Sequence, residues 1–246
     1  MHLYMQYNPD DSVWGNINWY HFTSNDYVKW QDQGIALKND NTYDRRGAYS
    51  GSITQGADGT PVVMYTCAAD GDEQRQCIAV PPRDDVKAGG PRSLNSFVKL
   101  STNPVLTEND VPGLLGLNHF RGPTNFWVNP DNTSEWLVAF AATANDASSG
   151  APKAQVVVFS TSDPNFRSGF RFSHAIWDNS FEFDNMVSTM ISGQDYWVYG
   201  NYVKNPINQT VYEEDFNRGR TYIDYGRWYA SKQNHDPILN RTILWG

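Results

Sequence analysis

The feature that most constrains the fold of this chain is the recurrence of short strand-like segments separated by polar turns. The segments are rich in aromatic and β-branched residues, and runs such as NPDN at 129–132 mark turns between them. No stretch keeps apolar residues at a helical period over several turns, so little helix is expected. Strands are predicted at 47–53, 61–67, 76–80, 136–141, 155–161, 196–203 and 221–230.

Many short strands with turns between them are typical of an all-β sandwich, barrel or propeller, and periodicity does not choose among these three. A turn followed by a W-x-V or V-x-F strand every few dozen residues favours repeated four-stranded blades. The polar, Pro- and Gly-rich stretch 81–91 is predicted to be a surface loop, because strand patterning resumes at Ser96. The whole chain, 1–246, is therefore predicted to be one domain.

Charge excludes two classes of partner. The formal net charge is −8 and the pI is near 5.0, whereas nucleic acids and anionic membranes attract concentrated Lys and Arg. No apolar run approaches the roughly 20 residues of a membrane-spanning helix. We therefore expect neither nucleic acid nor membrane as a partner. A neutral sugar is compatible with this composition, and nothing in the sequence sets the oligomeric state.

Localisation and cysteine state stay open from the sequence. The first residues lack the basic leader and cleavage site of a signal peptide, which leaves no visible secretory signal. Three glycosylation sequons, at Asn132, Asn208 and Asn240, would suit a secreted or vacuolar protein. Cys67 and Cys77 suit a disulfide across a hairpin and two buried free thiols equally well.

Several motifs closely resemble those of glycoside hydrolase family 32, the invertases and fructan hydrolases. Near the N-terminus the family's Q-Y-N-P, W-G-N, H-x-x-S and D-x-V-x-W-x-x-x-x-I-A-L motifs stand at 6–9, 14–16, 21–24 and 26–37. Further along, YSGS at 49–52, FRGPT at 120–124, DYGRWYASK at 224–232 and RTILWG at 241–246 match later landmarks in family order.

The resemblance implies a five-bladed β-propeller with the active site in its central funnel. The family's nucleophilic Asp belongs to a W-x-N-D-P-N-G motif that precedes Q-Y-N-P, so the resemblance places it upstream of Met1. We therefore expect an incomplete propeller here, without the first strand, the end of the last blade and the C-terminal β-sandwich module. No cofactor and no metal are implied.

Retaining glycoside hydrolysis uses two carboxylates, one as nucleophile and one as general acid/base. Glu182, in the run FEF at 181–183, aligns with the acid/base of the family's W-E-C-x-D motif, and Phe183 replaces its Cys. A third carboxylate of the family, the Asp of R-D-P, binds fructosyl hydroxyls. Arg121 and Pro123 keep that register, but Gly122 replaces the Asp and has no side chain to bind a hydroxyl.

The resemblance also assigns a sugar-binding set. Its members are Gln6, Trp14, Tyr49, Ser50 and Arg121, whose amide, hydroxyl, guanidinium and ring groups suit a sugar. Val203 stands where some members carry an acid that helps to choose the substrate, so the resemblance leaves the preference for sucrose or another fructan open.

Other chemistry-bearing residues are predicted to be structural. Asp10 and Asp11 are interpreted as a solvated turn pair. The histidines at 21, 119, 174 and 235 have no partner in a recognisable nucleophile motif, so they are interpreted as structural too.

The sequence therefore predicts a glycosidase-family protein resembling β-fructofuranosidases, impaired or inactive because of position 122 and the upstream nucleophile. The alternative is a non-catalytic relative that binds fructosides or another protein.

Overall fold

The computed structural model describes residues 1–82, 94–145, 150–178, 196–215, 217–223, 231–236 and 239–245. Strands dominate these residues, and their helical segments are two short 3₁₀ turns, Asp70–Asp72 and Glu108–Asp110. All the strand ladders are antiparallel. The all-β prediction is confirmed. No helix in the described ranges is long and apolar enough to cross a bilayer.

Three larger sheets form the N-terminal two thirds of the fold. The first sheet contains β1 (His2–Tyr7), β2 (Asn18–Ser24) and β3 (Trp30–Leu37). The second sheet contains β4 (Gly47–Gln55), β5 (Pro61–Ala68), β6 (Gln74–Val80) and β7 (Val98–Lys99). The third sheet contains β8 (Phe120–Arg121), β9 (Trp127–Val128), β10 (Trp136–Asn145), β11 (Pro152–Thr161) and β12 (Arg171–Asp178).

Three two-stranded sheets follow in the described part of the chain. They join β13 (Tyr196–Val198) to β16 (Arg220–Tyr222), β14 (Gly200–Lys204) to β15 (Thr210–Glu214), and β17 (Lys232–Asp236) to β18 (Arg241–Trp245). The single strand predicted at 196–203 is therefore two strands, because the chain changes partner at Tyr199. Most of the loop predicted at 81–91, and 224–230 of the strand predicted at 221–230, lie outside the described residues.

Strand β5 is buried on both faces, which explains its nearly continuous apolar sequence. Alternate residues of a strand point to opposite faces, so Val62 and Met64 pack towards the third sheet while Tyr65 packs towards Trp19 of the first. Burying a large apolar side chain contributes about 1.5–3 kcal/mol. The core between the second and third sheets includes Val62, Met64, Ile78, Phe120, Val138, Phe140, Val157 and Phe159.

A disulfide joins Cys67 of β5 to Cys77 of β6, so the structure contains the first of the two alternatives that the sequence leaves open. In the ladder, Tyr65 faces Cys77 and Cys67 faces Arg75, which makes the cysteines diagonal neighbours on one face. Both are fully buried in the core shared with the first sheet. The disulfide thus reinforces the central hairpin of the second sheet.

Successive sheets contact each other in chain order. The Ala48 amide at the start of the second sheet donates to the Ile17 carbonyl beside the first (2.8 Å), and Gln76 Nε2 donates to the Phe120 carbonyl of the third (2.9 Å). The last hairpin returns to the first sheet, where the Trp245 and Trp30 rings lie 5.9 Å apart between centroids. Neighbouring sheets therefore pack on each other as blades of a β-propeller do, in an arrangement consistent with the predicted incomplete propeller.

Candidate functional site

The candidate site begins where the first sheet meets the second. Gln6 lies on β1 opposite Trp19, and its amide nitrogen donates to the Ser50 hydroxyl on β4 (2.9 Å). The ladder between β4 and β5 is irregular between Ala48 and Gly51, around this residue. Two residues predicted to bind sugar are therefore in direct contact, although 44 positions separate them in sequence.

Trp14 lies beside this pair, in the connection between β1 and β2. Gly15 (φ +140°) and Asn16 (φ +48°) turn the backbone immediately after it. Its indole ring lies 5.5 Å from the Tyr49 ring between centroids, and 54% of the residue remains exposed. An exposed indole beside polar groups suits the apolar face of a sugar ring.

The Tyr49 hydroxyl donates a hydrogen bond to Oδ1 of Asp72 (3.0 Å). Burial raises the pKa of the Tyr49 phenol, and the charge of Asp72 and the hydrogen bond to it raise that pKa further. The phenol therefore stays protonated at neutral pH and acts as a donor.

Asp72 is a residue of this site that the sequence predictions omit. It ends the 3₁₀ turn between β5 and β6, and its sequence signal is a D-G-D run between two predicted strands. Carboxylates in such turns are mostly solvated, so the run alone does not point to a site.

Arg121 brings a positive charge to the same group. It lies on β8 and is partly buried. Burial lowers the pKa of its guanidinium, while the charge of Asp72 and the Tyr49 phenol act in the opposite direction. The electrostatic influence of Asp72 and Tyr49 thus reaches Arg121 on the neighbouring third sheet.

Gly122 adopts a left-handed conformation (φ +70°), and its amide donates to the Thr66 hydroxyl on β5 (2.9 Å). No atom of the described residues lies within 4 Å of a Cβ built on Gly122, so these residues leave room for the carboxylate that the family resemblance would place there.

The segment after Gly122 is also tied to the second sheet. Ser52 Oγ donates to the Thr124 carbonyl (2.6 Å), and Asn125 Nδ2 donates to the Ile53 carbonyl (2.7 Å). Its backbone position is therefore set by β4 and β5.

Four other residues named in the sequence analysis take no part in the contacts described above. Glu182 lies outside the described residues. Val203 lies on β14 opposite Val211. Asp10 and Asp11 lie in the exposed loop before Trp14, where Asp11 Oδ1 accepts the amide of Val13 (3.2 Å).

Of the four histidines named from the sequence, His21 and His174 make defined contacts, His119 is half-buried and His235 is exposed. His21 is fully buried, stacks on Tyr4 with ring centroids 4.4 Å apart, and shares a hydrogen bond with His2 (3.0 Å). His174 Nε2 is bonded to the Thr210 carbonyl (2.9 Å). Among the residues that the structure describes, no three His, Cys, Asp or Glu side chains gather as a metal site requires.

Comparison with known proteins gives a consistent result over the whole chain. A family model described as the N-terminal domain of glycosyl hydrolases family 32 matches residues 1–246. The acid β-fructofuranosidase AIV-18 of Capsicum annuum is 32% identical over 100% of this chain, and β-fructofuranosidase 1 of Zea mays is also 32% identical over 100% of it. The chain spans 40% of the length of each of these relatives.

A solved structure shares the fold. Fructan 1-exohydrolase IIa of Cichorium intybus, crystallised as a variant in complex with 1-kestose, aligns with a TM-score of 0.76 at 22% identity. The alignment covers 99% of this chain and 48% of that one. The likeness confirms the predicted propeller fold. The match to the family model and the identity to the two plant proteins establish that this chain belongs to glycosyl hydrolase family 32.

Proposed function

We propose that this chain forms a fructofuranoside-binding site in which hydrolysis is impaired by the lack of a carboxylate at position 122. The observation that carries the proposal is the grouping of predicted sugar-binding residues where the first and second sheets meet. Gln6 donates a hydrogen bond to Ser50 (2.9 Å), and the Trp14 ring lies 5.5 Å from the Tyr49 ring between centroids. Relatives that share this fold include a fructan exohydrolase bound to 1-kestose and a fructofuranosidase complexed with fructose. Sucrose and fructans are therefore the substrate class that we propose.

The chemistry of the group fits a small, uncharged, hydroxyl-rich ligand. Trp14 offers an apolar face, while the Gln6 amide, the Ser50 hydroxyl and the Arg121 guanidinium supply hydrogen-bonding groups around it. Such sites combine an apolar surface with a few convergent polar groups that fix orientation. Arg121 donates five N–H groups in a fixed plane, which suits neighbouring sugar oxygens.

Position 122 is the reason for proposing weak hydrolysis. A preorganised polar group that acts on the transition state is worth about 10²–10³ in rate. Gly122 offers no side chain in that place, and the acid/base position is assigned to Glu182 from its sequence context. The expected outcome is ligand binding with slow turnover or none.

Binding is tested by calorimetric titration with methyl β-D-fructofuranoside, which holds the sugar in its furanose form. The wild-type chain is expected to bind it with a millimolar Kd, and Trp14→Ala to weaken binding about fivefold, equivalent to roughly 1 kcal/mol of ring contact. Tyr202→Ala is the matched control, because Tyr202 is an aromatic residue 71% exposed on β14, outside the site. A wild-type chain that does not bind the furanoside contradicts the proposal.

Hydrolysis is tested separately, by measuring fructose release from sucrose and inulin. We expect release at or near background for the wild-type chain. Rapid release that Glu182→Gln abolishes would overturn the impaired-hydrolysis part of the proposal and leave the binding part intact. The alternative, a non-catalytic protein-binding role, is favoured if the furanoside does not bind.

A further inference from the structure

Asp72 lies within the candidate site, but the proposed function gives its carboxylate no role. We propose that Asp72 supplies the carboxylate that binds hydroxyl groups of the furanosyl ring, in place of a carboxylate at position 122. The inference rests on the proposed function and adds to it a residue outside the motifs that the family resemblance covers. It begins from one contact, the hydrogen bond from the Tyr49 hydroxyl to Asp72 Oδ1 (3.0 Å).

The backbone directs this side chain by an uncommon conformation. Gly71 (φ +76°) and Asp72 (φ +61°) are two consecutive left-handed residues at the end of the turn. A left-handed non-glycine residue costs about 1–2 kcal/mol, and Asp is among the residues that tolerate it best. Two backbone hydrogen bonds close the turn. The Asp72 amide donates to the Ala69 carbonyl (3.1 Å), and the Ala69 amide donates to the Glu73 carbonyl (2.9 Å).

The carboxylate keeps capacity for a ligand. An ionised carboxylate accepts about four hydrogen bonds, and Tyr49 occupies one position, on Oδ1. No donor from the described residues reaches Oδ2. A hydroxyl that donates to a carboxylate makes a bond roughly twice as strong as one between neutral groups. Two vicinal sugar hydroxyls suit this remaining capacity.

The surroundings match the same ligand. Asp72 and Arg121 carry opposite charges, and the charge of Asp72 acts to raise the pKa of the Arg121 guanidinium, so together they offer a sugar an acceptor and a donor. The Trp14 ring lies 5.5 Å from the Tyr49 ring between centroids. No atom of the described residues lies within 4 Å of the Cβ that Gly122 lacks, which leaves room beside its neighbour Arg121. A carboxylate reaching in from the second sheet therefore compensates for one absent from the third.

The central test is Asp72→Asn, titrated with methyl β-D-fructofuranoside. Asparagine keeps an oxygen for the Tyr49 hydroxyl, so the melting temperature is expected to change by less than about 2 °C. Loss of the charged acceptor is expected to weaken binding about ten- to hundredfold. Asp70→Asn is the matched control from the same turn: Asp70 is exposed and pairs with Arg45 (3.1 Å), so less than a twofold change is expected, since exposed pairs contribute little.

Two further measurements separate ligand binding from a structural role. The ligands for the first measurement are the 3-deoxy and 4-deoxy forms of methyl β-D-fructofuranoside, each of which lacks one ring hydroxyl. The form that lacks the hydroxyl bound by Asp72 should bind the wild-type chain more weakly than the parent furanoside does. Asp72→Asn should bind that form and the parent furanoside equally well. Gly122→Asp, introduced into Asp72→Asn, should return the Kd to within about threefold of wild type, because Asp tolerates the left-handed backbone at 122.

The outcomes are distinct. If the wild-type chain binds the furanoside and Asp72→Asn binds it equally well, this inference is overturned and the proposed function stands. If Asp72→Asn and Tyr49→Phe lose stability together while their furanoside affinity is unchanged, Asp72 is a structural partner of Tyr49 and the inference is also overturned. If the wild-type chain does not bind, both proposals fail.

Discussion

At Gly122 the backbone and the side chain have separate roles. The amide holds the segment to Thr66 through a 2.9 Å hydrogen bond, and the left-handed φ of +70° makes the position conformationally demanding. No described atom lies within 4 Å of a Cβ at this position, so packing against the described residues does not restrict a substitution. The change in the free energy of unfolding on substituting Gly122 should therefore reflect backbone strain more than side-chain packing.

Gly122→Ala is expected to lower the free energy of unfolding by about 1–2 kcal/mol, because alanine is strained at a positive φ. Gly122→Asn should cost less, since asparagine adopts this conformation more readily. Urea unfolding of both variants checks the difference. Equal losses for the two variants would contradict the assignment of strain to the backbone.

His21 is the residue at which acid should act first. It is fully buried beside His2 and Tyr4, and burial, followed by the charge of His2, lowers the pKa of His21 from its ordinary value of 6.5 to about 4. Burial lowers the pKa of His2 as well. Between the unfolded and folded pKa values the unfolded chain binds more protons, so stability falls as the pH falls through this range.

We expect the free energy of unfolding to decrease from pH 6.5 to pH 4 by on the order of 3 kcal/mol through His21. The measurement is urea unfolding at several pH values, comparing the wild type with His21→Gln. The decrease should be smaller in His21→Gln than in the wild type, and His235→Gln is the control for the substitution itself, because His235 is exposed. A pH dependence that is the same in all three proteins would show that His21 does not cause it.

At the scale of the element, the hairpin of β5 and β6 is the centre of the fold. Its strands pack on both neighbouring sheets, and the Cys67–Cys77 disulfide joins them across a sequence separation of 10. A disulfide stabilises mainly by restricting the unfolded chain, by about 3 kcal/mol for a loop of this length. Such pairs are typical of oxidising compartments.

Reduction of the disulfide, or the paired change Cys67→Ala with Cys77→Ala, is expected to lower the free energy of unfolding by about 2–4 kcal/mol. The result is measured by chemical unfolding with and without a reducing agent. The paired variant is its own control, because a reducing agent should have no further effect on it. A wild-type protein that is indifferent to the reducing agent would argue against the pairing.

Strands could be predicted from the sequence where burial imposes an apolar pattern. Strand boundaries were less predictable where a change of pairing partner sets them. The aromatic and β-branched runs at 61–67 and 155–161 fall within β5 and β11, since both strands are buried. The run 196–203 carries the same pattern throughout, yet Tyr199 accepts the Asp215 amide (2.7 Å) between two strands with different partners. Local sequence does not encode such a change of partner.

The residues of the candidate site also differ in how far the sequence predicts them. Motif resemblance brings Gln6, Trp14 and Tyr49 into the predicted set, and the structure places Gln6 against Ser50 and the Trp14 ring beside that of Tyr49. Asp72 is outside that set, because its place depends on two left-handed residues that aim a turn carboxylate at Tyr49. Turn geometry of this kind depends on long-range packing as well as on the turn residues themselves.

At the scale of the whole molecule, side chains in turns attach one sheet to the next. Asp131, in the turn between β9 and β10, accepts the Thr210 amide (2.8 Å) and the Thr210 hydroxyl (2.9 Å), and it pairs with Lys204. These contacts hold the β14–β15 hairpin to the third sheet. Because a propeller depends on contacts between blades, Asp131 acts on the arrangement of the fold more than on any one sheet.

Asp131→Ala is expected to loosen the β14–β15 hairpin while leaving the central sheets intact. Hydrogen exchange of the β14 and β15 amides should accelerate about tenfold, as expected for the loss of roughly 1.4 kcal/mol of local stability. The amides of β5 are the internal control and should exchange at the wild-type rate. Equal acceleration in both regions would indicate global destabilisation and contradict a local role for Asp131.

The hydrogen bond from Gly122 to Thr66 has a consequence for the history of this chain. The bond uses the backbone amide, so it does not depend on a side chain at 122, and no described atom lies within 4 Å of the Cβ that Gly122 lacks. One base change turns a glycine codon ending in a pyrimidine into an aspartate codon. Gain or loss of a carboxylate at 122 is thus a single mutational step that requires no remodelling of neighbouring strands, and natural selection can take it in either direction.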